Sequence, residues 1–83
     1  MAYEDVFETI EVITHFQRGK IIPLRFLWNG RAYPVKHIHS RWQERIGSTT
    51  QIHFSVRSET TDCFELIFDS ADYSWQLARV FLD

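Results

Sequence analysis

An all-β fold is what this 83-residue chain predicts: a single small domain, an antiparallel meander of five or six strands, drawn into a strongly coiled sheet or a small barrel. Three observations carry that expectation. Apolar and polar residues alternate with period two through much of the chain, the signature of half-buried strands. An Asn29-Gly30 pair separates two such runs, and Asn-Gly supplies the two positive φ values that a type I′ hairpin turn demands. Seven Phe, three Tyr and three Trp must be buried by a chain with no strongly periodic helix, so the sheet has to coil upon itself to cover its aromatic face.

Residues 1–6 are expected to fray, which leaves 7–83 as the domain. From Phe7 to Phe16 the β-branched content favours a strand, because a helix restricts the χ1 of such side chains. The spacing of Val6, Ile10 and Ile13 also fits a helix. Leu24–Trp28 and Arg31–Val35 form the hairpin, with Trp28 facing Arg31, Phe26 facing Tyr33 and Leu24 facing Val35. That register puts Leu24, Phe26, Trp28, Tyr33 and Val35 on the buried side and Arg25, Leu27, Ala32, Pro34 and Lys36 on the other. Unbroken alternation would then turn His37, His39 and Arg41 inward, so a one-residue bulge near Lys36–His37 is expected, returning Ile38 and Trp42 to the core.

The second half reads more simply. Ile52, Phe54 and Val56 alternate with Gln51, His53, Ser55 and Arg57, and Phe64, Leu66 and Phe68 alternate with Cys63, Glu65 and Ile67. A last strand runs from Ser74 to Leu82 with Trp75 and Leu77 inward. Beyond Leu77 two phases compete, Ala78, Val80 and Leu82 against Phe81.

Charge is segregated along the chain. Residues 1–17 carry four acids and no base, residues 18–45 seven bases and one acid, and residues 46–83 two bases and six acids, for a net charge of −2. Sheets commonly pair such charges across strands. The basic stretch is also threaded with aromatics, the composition of a surface that tracks a phosphate backbone and stacks bases. Its candidate contact residues, for nucleic acid or for another partner, are Arg25, Lys36, Arg41, Trp42 and Arg45.

Phe26-Leu27-Trp28-Asn29-Gly30-Arg31-Ala32-Tyr33-Pro34-Val35, then Arg41-Trp42, Phe64-Glu65-Leu66 and Trp75-Gln76-Leu77-Ala78-Arg79-Val80-Phe81 together resemble a family of small bacterial β-rich proteins, a domain of unknown function. Some of its members stand beside, or are similar to a domain attached to, Y-family DNA-polymerase-like proteins. The resemblance spans residues 20–83 and rests on core and turn positions. It implies the fold, and an accessory role in a nucleic-acid or repair complex. The His-x-His segment and the acidic N-terminal stretch depart from the family pattern.

Chemistry is otherwise sparsely signalled. His37, His39 and His53 would approach one another if Ile38 lay opposite Phe54, and three imidazoles suit zinc or copper. The alternative is a solvated ladder of histidines, and no carboxylate or thiol is placed as a fourth ligand. Cys63 is the only cysteine, which excludes an internal disulfide and suits the cytoplasm; facing Arg57, it reads as an inert small residue. No nucleophile elbow, phosphate loop or paired-carboxylate signature is present, so no enzyme and no cofactor is expected. No apolar run is long enough for a membrane helix. The expected function is that of a non-enzymatic binding or accessory module acting on a protein partner, or self-associating, through sheet edges. Binding of single-stranded nucleic acid is the alternative and metal binding the third reading.

Overall fold

The computed structural model describes residues 2–82, and the chain is all-β. Seven strands follow one another: β1 Ala2–Gln17, β2 Lys20–Trp28, β3 Arg31–Pro34, β4 His37–Ile46, β5 Thr49–Arg57, β6 Cys63–Asp69 and β7 Ser74–Leu82. They build one antiparallel sheet in the order β3-β2-β1-β7-β6-β5-β4. Because β1 pairs with β7 while β3 and β4 are not neighbours, the meander curls toward a barrel and stays open at the seam between β3 and β4. Residues 2–6, expected to fray, belong to β1 and pair with β7 from Ala2↔Leu82 to Asp5↔Arg79.

The hairpin follows its turn chemistry. Asn29 and Gly30 both take positive φ (53° and 71°), and the register runs Trp28↔Arg31, Phe26↔Tyr33. Val35 continues it by donating its N–H to the Leu24 carbonyl at 2.9 Å. In the second half Ile52↔Phe68, Phe54↔Leu66 and Val56↔Phe64 put the two alternating apolar sets side by side.

Phase changes curl this sheet over. Leu24 is an extra residue on β2, since Ile13 faces Arg25 while Thr14 faces Pro23. The bulge turns Pro23 inward and leaves Leu24, expected in the core, 47% exposed. Ala78 is extra on β7, between the Glu65↔Arg79 and Leu66↔Leu77 pairs, and beside it β1 spends Val6 and Phe7 against that one residue. Leu77 and Val80 therefore both face the core, which resolves the competition between phases beyond Leu77. Phe7 takes φ 50°, an uncommon conformation for an aromatic residue that the bulge imposes.

The curl brings β2 and β3 over β5 and β6. The Phe26 ring stacks on Tyr33 at 5.1 Å and meets Phe64 edge-on at 5.2 Å, while Trp75 lies 5.5 Å from Phe54 and 5.2 Å from Phe68. Val56, Leu66 and Leu77 fill the space between them and are wholly buried. Truncating Phe26 to Ala is expected to cost about 3–5 kcal/mol, whereas Leu24→Ala, on the outward bulge, is expected to cost under about 1 kcal/mol. Urea unfolding of the two variants checks both values.

The β6–β7 loop carries its own stabilising device. Asp72 accepts hydrogen bonds from the Ser74 hydroxyl at 2.7 Å and the Ser74 N–H at 3.1 Å, and these hold its carboxyl below the usual range. A carboxyl depressed in the folded state adds stability above its ordinary range and loses it as pH falls through the lowered pKa. Asp72→Ala is accordingly expected to melt below the parent at neutral pH, and the gap to close in acid. Thermal melts across that pH range test it.

Candidate functional site

Pro34 ends β3, because it has no N–H to donate to a further ladder bond. The chain then changes sides in two residues: the Val35 N–H reaches β2, and the Lys36 N–H donates to the Arg57 carbonyl on β5 at 2.9 Å. The Ser58 hydroxyl ties this junction down by donating to the Pro34 carbonyl at 2.7 Å. From the junction β2 runs back toward Lys20 and β4 runs forward toward Ile46, with no strand between their facing edges. Lys20, Ile21, Ile22, Ile38, Arg41 and Phe54 line the resulting cleft, of about 310 Å³.

β4 is the long side of this seam. Among the described residues it pairs only with β5, and every one of its ten residues is exposed. His39 is an extra residue between the Ile38↔Val56 and Ser40↔Ser55 pairs. The phase change expected near Lys36–His37 is present, since Val35 and Ile38 both face the core side, and a second one falls at His39. Ile38 faces the core side as expected, but Arg41 (opposite Phe54) follows it there and Trp42 (opposite His53) is turned to the outer face. The Arg41 guanidinium lies 5.9 Å from the Phe54 ring centroid, within cation–π range.

The predicted contact residues are consequently dispersed. Arg25 lies beside Ile13 and Leu27 on the outer face of β1–β2–β3. Lys36 borders a separate cleft with Arg57, Ser58 and Glu59. Arg41 and Arg45 share the core side of β4, and Trp42 points the opposite way. No continuous ridge unites all five. Nor does the register assemble the three histidines: His37 and His39 lie together, with ring centroids 4.6 Å apart, but His53 faces Trp42. Among the described residues no group of three or more His, Cys, Asp or Glu is placed to hold a metal ion. Cys63 is free and, as expected, paired with Arg57.

Sequence reasoning missed a polar row across the outer face of β4, β5, β6, β7 and β1. The Trp42 ring stacks on His53 at 5.1 Å and nearly parallel. His53 Nδ1 lies 3.3 Å from Glu65 Oε2, Arg79 donates from Nη1 to Glu65 Oε1 at 2.9 Å and from Nε to Asp5 Oδ1 at 3.1 Å. The Arg79 guanidinium also lies 5.3 Å from the Phe7 ring. His53 Nε2 is 3.6 Å from a Glu44 oxygen, ion-pair distance but too long for a hydrogen bond. The Glu65 bond foremost, helped by the charges of Glu65 and Asp5, holds the Arg79 pKa above its ordinary value. The signal was available: Glu65 interrupts the apolar run Phe64–Phe68, and the expected Val56↔Phe64 pairing already sets it beside the His53 strand.

This row is structural in character. Glu65 and His53 are buried although no second layer covers them; His53 Nδ1 and Arg79 meet the two Glu65 oxygens, and His53 Nε2 is left with only the Glu44 carboxylate at 3.6 Å. No family model matches the chain, and no curated protein and no solved structure matches it.

Removing Arg79 leaves Glu65 Oε1 without its charged donor while Oε2 keeps His53, so Arg79→Met is expected to cost about 1–3 kcal/mol. Asp5→Ala, at the exposed end of the same row, is expected to cost at most about 1 kcal/mol. Adding Glu65→Gln to Arg79→Met should recover part of the loss. Denaturant midpoints of these variants provide the check.

Proposed function

We propose that the protein is a non-enzymatic binding module that engages a protein partner by strand addition at the seam, with β4 as the accepting edge. One observation carries the reading: β4 is a ten-residue strand, paired on one side only and exposed along its whole length. Such an edge presents a row of main-chain donors and acceptors that an extended segment of another chain can complete. Its apolar residues Ile38, Trp42 and Ile46 stand 37%, 39% and 55% exposed, so added main-chain bonds would be accompanied by side-chain burial.

Self-association by the same edge is disfavoured by charge. Antiparallel pairing of two β4 strands would draw the Arg41 and Arg45 side chains of both copies into one narrow ribbon, and like charges across strands destabilise it. The bulge at His39 interrupts the regular ladder that such a pairing needs. A different chain is therefore the better occupant. Single-stranded nucleic acid is less well served, because Trp42 lies on the face opposite Arg41 and Arg45 and has one ring face already stacked on His53.

Selection of short peptides from a displayed random library, followed by amide hydrogen exchange on the complexes, tests the reading. Selected peptides should slow exchange along β4. Peptides that bind and leave β4 amides as fast as before would contradict it, as would tight, steeply salt-dependent binding of oligothymidylate in the absence of any peptide ligand.

A further inference from the structure

Resting on that reading of the seam, we infer that its occupant is an extended acidic segment whose charged side chains alternate with apolar ones. The seam carries uncompensated positive charge. Lys20 and Arg41 line the cleft from opposite sides, Arg45 continues the row on the core side of β4, and no salt bridge among the described residues uses any of the three. The one acid on β4, Glu44, points to the outer face toward His53. A strand laid beside β4 would project alternate side chains to the core side, where Arg41 and Arg45 stand two pleats apart, and acidic residues there would meet both.

Period two then fixes the intervening positions. They fall on the outer face beside Trp42 and Ile46, both exposed and both apolar, so apolar residues fit there. At the His39 bulge the phase of β4 reverses, and Ile38 joins Ile21 and Ile22 around the cleft floor at Phe54. One apolar side chain of the incoming strand is accommodated in that 310 Å³ space, which is at the small end of ligand-sized clefts. An acidic segment with this alternation therefore meets base, isoleucine and indole in turn. A basic segment would meet Lys20, Arg41 and Arg45 with like charge, which is how such an edge excludes wrong partners.

The test uses three end-capped synthetic peptides of equal length that alternate valine with glutamate, with serine or with lysine, titrated into the isotopically labelled full chain at low salt and followed by NMR. The glutamate peptide should bind about tenfold more tightly than the serine peptide, and the lysine peptide should not bind. Its signals should move at β4 amides and at the Ile21, Ile22 and Ile38 methyl groups. Arg41→Glu together with Arg45→Glu should reverse the order of the glutamate and lysine peptides, while Arg25→Glu, on the far outer face, should leave it unchanged. Equal binding of all three peptides at β4 would overturn the acidic specificity and leave strand addition standing. Shifts confined to other strands, or no binding by any peptide, would overturn strand addition with it. Displacement of the glutamate peptide by oligothymidylate at lower concentration would assign the seam to nucleic acid instead.

Discussion

The meeting of Phe26 with Phe64 is the contact on which the rest of the structure depends. With no helix among the described residues, this sheet has no second layer laid against it, so one half of the sheet must cover the other. Phe26, held by the hairpin and stacked on Tyr33, reaches across to the β6 aromatic and makes that cover. A domain of this size buries only about 60% of its unfolded surface, and rings of this kind supply most of what is available to bury. The curl of the sheet is the geometric consequence.

Curling has to be built into the strands, and the bulges at Leu24, His39 and Ala78 do it, with Val6 and Phe7 of β1 opposed to Ala78. Each reverses the phase of its strand and so decides which residues are core. Each also costs a local rule: an exposed leucine, an aromatic residue with positive φ, an arginine on the core side of an edge strand. The Arg79–Glu65–His53 row crosses the sheet at the Ala78 bulge and pins the outer face of the same kink, so the polar network and the curvature support one another. The seam is what remains when β3 is cut short by Pro34 and the chain crosses directly from β2 to β5.

What could be read from the sequence was local. Asn29-Gly30 specifies its turn and therefore its register, and the Ile52–Val56 and Phe64–Phe68 alternations are unambiguous enough to pair correctly. Leu24 misled because Pro23 and Leu24 are both apolar and nothing local says which of them the bulge turns out. Trp42 misled for a longer-range reason. The phase change at Lys36–His37 was legible and is present, but the second one, at His39, which turns Trp42 out, is set by the pairing of Ile38 with Val56 and of Ser40 with Ser55, contacts with a strand some fifteen to twenty residues away. The seventh strand arose from the same junction, since a single bent strand was expected where the chain in fact leaves β3 and starts again. The basic stretch was visible as composition, yet its division between the outer face, the junction and the seam depended on those phases. Only Arg41 and Arg45 of its predicted contacts meet on one side of β4.

The sheet is thus joined through β1 and β7 and open between β3 and β4. Residue-resolved amide hydrogen exchange of the chain by itself tests this most directly, because exchange reports opening strand by strand. The open seam predicts that alternate amides along β4, those turned away from β5, exchange rapidly, while β6 and β7 in the sheet interior exchange slowest. Uniform protection along β4, equal to that of β6, would mean that the edge is already paired and would contradict the account.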